Sequence, residues 1–178
     1  WWDDIPLGPQ GDHDGRAGNR LGRAAKAWAD ALRADGVDLG DPTRLTSWPF
    51  GDSAAMAHEL ADLVVAGTKR ATASLVWGLD HDRLPLPAAG DRSIVVEWNG
   101  TPRCLIETTR VDVIAFCDVD ASFAAEEGEG DGSLAYWRRE HAAFFDRECA
   151  AIGRTPTETM PIACERFRLV RVADASPA

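Results

Sequence analysis

Asn99-Gly100 lies between two strand-like stretches, Ile94 to Trp98 and Arg103 to Val113, and no other short signal restricts the fold as much. An Asn-Gly pair readily takes up the backbone angles of a two-residue turn, so the two stretches are read as an antiparallel hairpin. A hairpin in the middle of the chain favours a mixed or antiparallel sheet over a doubly wound parallel one, in which helices separate the strands. The expected fold is α+β: a small sheet curled into a β-barrel with helices packed on its flanks.

The flanking segments fill in this plan. Leu21, Ala25, Trp28 and Leu32 recur at helical spacing and Gly36 follows where a helix would stop. Leu45, Trp48 and Phe50 form an extended apolar stretch, and Gly51-Asp52-Ser53 supplies cap chemistry for a helix carrying Met56, Leu60, Leu63 and Val64. Arg70 to Trp77 reads as a strand and Leu84-Pro85-Leu86-Pro87 as a rigid loop. A two-turn helix is expected from about Asp120, a longer one from Ser133, and a last strand over Arg166 to Val172. Residues 1–19, rich in Gly, Asp and Pro, read as a flexible tail. The expected organisation is that tail, a helical extension over 20–41, one domain over 42–172 and a C-terminal tail over 173–178.

A chain of 178 residues is long enough to bury a core without disulfides or a structural metal. Cys104, Cys117, Cys149 and Cys164 show no paired zinc-ligand spacing, and His13, His58, His81 and His141 form no metal motif, so no metal ligand is assigned. Twenty-nine acidic against nineteen basic residues give a net charge of -10, which repels a polyanion from most of the surface. A nucleoside, or a short single-stranded RNA in a local pocket, survives that objection as a partner. No apolar run is long enough for a membrane span, and a cytoplasmic location with no membrane partner is expected. A second copy of the chain is also allowed as a partner.

Three segments could carry chemistry. Lys69, one of only two lysines, precedes Thr72 and Ser74 where a helix gives way to a strand. A desolvated Lys could take a proton from a hydroxyl, although a solvated helix end explains the same residues. Glu107 interrupts an apolar strand, on the face of Leu105 and Thr109; it is either a site carboxylate or an edge residue facing water. Glu126 to Ser133 combines glycines with acids. It repels phosphate and lacks the P-loop pattern, so Asp131 and Ser133 either cap the next helix or the acids hold a divalent cation weakly. Trp48, Phe50, Trp77, Tyr136 and Trp137 offer stacking surfaces, and Arg70, Arg138 and Arg139 offer cations, though core packing explains most such aromatics equally well.

Phe50-Gly51-Asp52-Ser53, Gly67-x-Lys69-x-x-Thr72-Ala73-Ser74, Gly90-Asp91-x-Ser93-Ile94, Cys104 to Thr109, Glu127 to Arg138 and Cys164-Glu165-Arg166-Phe167 together resemble the bacterial ASCH domain family. The resemblance runs from about residue 45 to 172 in the family's order. It implies a PUA-like barrel related to RNA-binding domains, and, for one branch, an amidohydrolase that removes the acetyl group from N4-acetylcytidine. Carried over, that branch's Lys, Thr and later-strand Glu fall on Lys69, Thr72 and Glu107. In the implied mechanism Thr72 attacks the amide, Lys69 takes its proton and Glu107 orients Lys69 or the base. In a competing form Glu107 activates water and Thr72 only positions the substrate. Phe50, Asp52, Ser53, Arg70, Ser74, Trp77, Ser133, Tyr136 and Arg138 are the expected substrate contacts. No cofactor is expected for the amidohydrolase. The alternatives are a ribonuclease, with a divalent metal on Asp131 or Glu129, and a binding module without catalysis.

Overall fold

The computed structural model describes residues 21–174. The expected tail, with Trp1, Trp2 and Ile5, and the last four residues lie outside them. Five strands form one sheet in the order β1-β3-β4-β5-β2, from β1 (Thr46–Trp48), β2 (Ala71–Leu75), β3 (Arg92–Val96), β4 (Pro102–Ala115) and β5 (Pro161–Val172). The β1–β3 pair is parallel and the others are antiparallel. The expected hairpin is β3–β4, turned at Asn99-Gly100, and the sheet curls into a half-barrel.

Among the described residues five α-helices flank it: α1 (Arg23–Ala34), α2 (Ala54–Val65), α3 (Val76–His81), α4 (Ala121–Glu127) and α5 (Leu134–Ala151). Three of them start where a cap residue stands. Ser53 accepts from the Met56 N–H, Asp120 from Phe123 and Ser133 from Tyr136, each satisfying an amide that has no partner within its helix. The strand expected over Arg70 to Trp77 ends at Leu75, and Val76-Trp77 open α3. Tertiary packing overrides local strand preference there: Trp77 lies against the core cluster under α5 and carries the Arg154 guanidinium 4.6 Å from its ring centroid.

Alternation along β3 and β4 decides what each sheet face meets. Ile94, Val96 and Leu105 pack with Ala25, Ala29 and Leu32 of α1 on one face. Val95, Cys104 and Ile106 pack with Leu60, Ala61 and Val64 of α2 on the other. Each Leu or Ile so buried contributes about 1.5–3 kcal/mol. A third cluster joins Ala71, Leu75, Ile162 and Cys164 of the sheet to Phe123 of α4 and to Trp137 and Phe145 of α5. Among the described residues no helix is long and apolar enough to cross a membrane.

Candidate functional site

On the α2 face of the sheet, between α2, α3 and α5, lies a cavity of about 430 Å³, within the usual range for small-molecule sites. Polar side chains from all five strands reach it: Thr46, Thr72, Ser74, Ser93, Thr108 and Glu165. Trp48 and Phe50 form an aromatic wall, their rings edge to face with centroids 4.8 Å apart. The cavity rim is tied by ion pairs, Arg44 to both carboxylate oxygens of Asp91 at 2.5 Å and Arg147 to Asp52 at 2.7 Å.

Lys69 is fully buried beside this cavity rather than solvated at a helix end. Its Nζ donates to Glu127 Oε2 at 2.8 Å and Glu129 Oε1 at 2.5 Å, and lies 5.2 Å from the Phe50 ring centroid. Both carboxylates line the cavity, whereas Lys69 itself stands behind them. Glycines make this approach possible. Gly128 and Gly130 have φ of +65° and +56°, and a Cβ on Gly128 would sit 2.7 Å from the Thr68 carbonyl oxygen. A Cβ on Gly130 would overlap the Tyr136 ring. A loop without side chains at these two points can press Glu127 and Glu129 onto Lys69.

Burial works against the Lys69 charge, but the attraction of Glu127 and Glu129 and their hydrogen bonds outweigh it and hold the ammonium above the ordinary lysine range. Burial likewise opposes the Glu127 charge, and Lys69, His141 and the Trp137 indole overcome it, holding that carboxyl below its ordinary range. As placed here, the Lys69 Nζ spends its hydrogen bonds on Glu127 and Glu129, and no contact joins it to Thr72. A second buried carboxylate stands on β5: Glu165, 6% exposed, accepts the Thr108 hydroxyl at 2.5 Å. Thr72 is the direct cross-strand neighbour of Glu165, a spacing that brings two side chains together on one face.

Glu107 is not part of this assembly. It lies on the α1 side of the sheet, bound to Arg92 at 2.6 Å and Arg168 at 2.8 Å, and does not line the cavity. The physical reason is strand parity: Ile106 and Thr108 point to the α2 side, so Glu107 between them points away. Of the expected substrate contacts, Phe50 and Ser74 line the cavity with Thr72. The rest do other work. Asp52 reaches the rim only through Arg147, Ser53 and Ser133 cap helices, and Arg70 is exposed with its N–H on the Glu126 carbonyl. Trp77 supports α3, Tyr136 covers Gly130 under the Arg139 guanidinium, and Arg138 binds the Cys117 and Val119 carbonyls.

Sequence reasoning weighed the acids around Glu127 and Glu129 only as a weak cation site, and it missed Glu165, Thr108, Ser93 and His141 as site groups. Their signals were present in the Gly-Glu-Gly-Asp-Gly loop and in Cys164-Glu165-Arg166, but nothing in the sequence joins Lys69 to an acid 58 positions later. Glu127, Glu129 and His141 bring one ligand atom each within 4.8 Å of one another. Two of the three already hold Lys69, so a cation there would meet an ammonium group. Asp131 instead accepts the Ser133 N–H at 2.9 Å. Burial pushes the Cys104 and Cys164 thiols up to about 12, which keeps both protonated at neutral pH.

The family model described as the ASCH domain matches residues 46–171. The crystal structure of an ASCH domain from Lactobacillus crispatus JV V101 is 37% identical, with 72% of this chain and 81% of that one covered, at a TM-score of 0.69. Protein EF3133 from Enterococcus faecalis V583 is 32% identical, with 84% and 88% covered, at a TM-score of 0.72. No curated protein matches the chain.

Proposed function

The chain belongs to the ASCH domain family, with its PUA-like fold, and from that premise we propose that its cavity binds a single nucleoside and hydrolyses the exocyclic amide of an N4-acylated cytidine. The observation that carries this reading is the make-up of the cavity: an aromatic wall of Trp48 and Phe50 faces a floor of hydroxyls and a buried carboxylate. The wall suits the face of a base, and the floor suits its N–H and hydroxyl groups. Glu127, Glu129, Glu140, Glu148 and Glu165 outnumber the cavity's arginines. Such walls disfavour a chain of phosphates and favour an uncharged nucleoside over RNA.

In this reading Glu165 takes the role first expected of Glu107. It receives a proton from water as the water oxygen attacks the amide carbonyl, with Thr72 and Thr108 fixing the geometry. Lys69 keeps Glu127 ionised and holds Glu129 in place rather than exchanging a proton with Thr72. The ribonuclease reading is weaker, because of the cations it calls on, Lys69, Arg70 and Arg138, the two arginines lie off the cavity and Lys69 is taken up by Glu127 and Glu129.

The test is acetate release from N4-acetylcytidine by the full chain, with cytidine binding followed by calorimetry. Glu165→Gln is expected to lower kcat by about 100-fold or more, the scale of losing a general base. Wild-type protein that neither releases acetate nor binds cytidine would sink the reading. Cleavage of a short single-stranded RNA in its place would favour the ribonuclease.

A further inference from the structure

Hydrolysis of an amide needs a proton for the departing nitrogen, and a donor other than the general base allows the two proton transfers to be made from different sides of the cavity. His141 is the one histidine on the cavity among the described residues, and its ring is fixed from three sides. It stacks on the Trp137 indole at 4.2 Å and 15°, lies 5.6 Å from the Phe145 ring, and holds Nδ1 3.1 Å from the Trp137 carbonyl oxygen. A carbonyl oxygen can only accept, so Nδ1 carries a hydrogen. Nε2 is left facing Glu127 Oε1 at 3.5 Å, and that oxygen already accepts the Trp137 indole N–H at 2.8 Å. In the neutral ring Nε2 and Oε1 are both acceptors, so the gap between them is one that a proton on Nε2 would bridge.

The charged groups around this ring come from every neighbouring element. Glu127 ends α4 and Glu129 follows it, Lys69 stands behind them, Glu140 precedes His141 on α5, and Glu165 of β5 lines the same cavity.

We infer that His141 is the proton donor of the cavity, its Nε2–H delivering a proton to the departing cytidine nitrogen. The inference rests on the amide-hydrolysis reading above. The water oxygen bonds to the carbonyl carbon as its proton passes to Glu165. The carbon–nitrogen bond then breaks, its electron pair stays on N4, and N4 takes the Nε2 proton. Acetic acid and cytidine leave, and the proton on Glu165 returns to His141 through solvent, so that one water is consumed per amide.

Two measurements test this. With 15N-labelled histidine in the full chain, neutral His141 is expected as the Nδ1–H tautomer, the reverse of the usual preference of imidazole, and added cytidine is expected to shift its Nε2 resonance. His141→Gln is expected to lower kcat on N4-acetylcytidine by about 100-fold, with KM and cytidine affinity within about threefold, a split that loss of packing alone would not give. An Nε2–H tautomer, an Nε2 signal indifferent to cytidine, or full turnover in H141Q overturns the assignment, and the first two measurements need no variant to fold. Failures remain separable. A wild-type protein without turnover sinks hydrolysis and the donor role together, whereas turnover that survives in H141Q sinks the donor role alone.

Discussion

Two clusters of charge sit on opposite faces of the sheet and differ mainly in their access to water. Lys69, Glu127 and Glu129 meet on the cavity side, with Lys69 and Glu127 fully buried. Glu107, Arg92 and Arg168 meet on the α1 side, where Glu107 is 19% and Arg168 59% exposed. Both clusters mix one sign with a pair of the other, at similar distances. A charge removed from the α1-side cluster leaves Arg168 to water and Arg92 still bound to the Asp38 carbonyl, while a charge removed from the buried one leaves a partner with nothing to replace it. The buried cluster is thus the one whose exact composition the fold depends on.

The largest expected effect follows from that contrast. Lys69→Met should cost about 3–5 kcal/mol by urea denaturation, because it strands the Glu127 carboxylate. The double variant with Glu127→Gln should be less damaged than K69M alone, since no unpaired buried charge remains. Equal loss in the single and double variants would mean that packing, not charge, dominates. The pH dependence has a definite sign. Glu127 is held below its ordinary 4.5, so its contribution is present above that pH and is lost as pH falls through the folded-state value. Lys69 is held above its ordinary 10.5, so its contribution is present below that pH and is lost as pH rises through the folded-state value. K69M should flatten both edges.

A smaller effect is expected at the second buried carboxylate. Thr108→Val keeps the side-chain outline but removes the hydroxyl that Glu165 accepts, at a cost of about 1.5–3 kcal/mol for a hydrogen bond to a charged group. Urea midpoints of wild type and T108V read it directly. A change of only a few tenths would show that this hydroxyl does not hold the carboxylate, and with it would go the argument that Glu165 is positioned in advance for its task.

The hairpin at Asn99-Gly100, the caps at Ser53, Asp120 and Ser133, and the helical face of α1 were legible because each is a local property of a few neighbouring residues. The site was legible only in part. Lys69 and Thr72 stood out by residue type and position, but Glu107, read with them, lies on the other face of the sheet, and the carboxylate beside Thr72 is Glu165 of β5. Alternation puts Glu107 with Leu105 and apart from Thr108; it does not say which face fronts a cavity, because that depends on where α1 and α2 dock. The union of Lys69 with Glu127 and Glu129 joins segments far apart in the chain. The glycines of that loop read as turn residues, and their further use, letting the loop close against Thr68 and Tyr136, is visible only in three dimensions.

The smallest expected effect is the one that most sharply separates the two faces. Glu107→Gln removes one charge from the α1-side cluster, where Arg92 also donates to the Asp38 carbonyl and Arg168 is largely solvated. The expected cost is about 1 kcal/mol or less, in the range of exposed ion pairs, with cytidine affinity and acetate release unchanged within error. Glu165→Gln, one strand over and on the other face, is expected to do the opposite, with a modest effect on folding and a large one on turnover. The pair of variants works as a parity test of the sheet. If E107Q abolished turnover and E165Q spared it, the ligand would belong on the α1 face instead, and the Lys69 cluster would be a buried structural tie rather than the wall of a site.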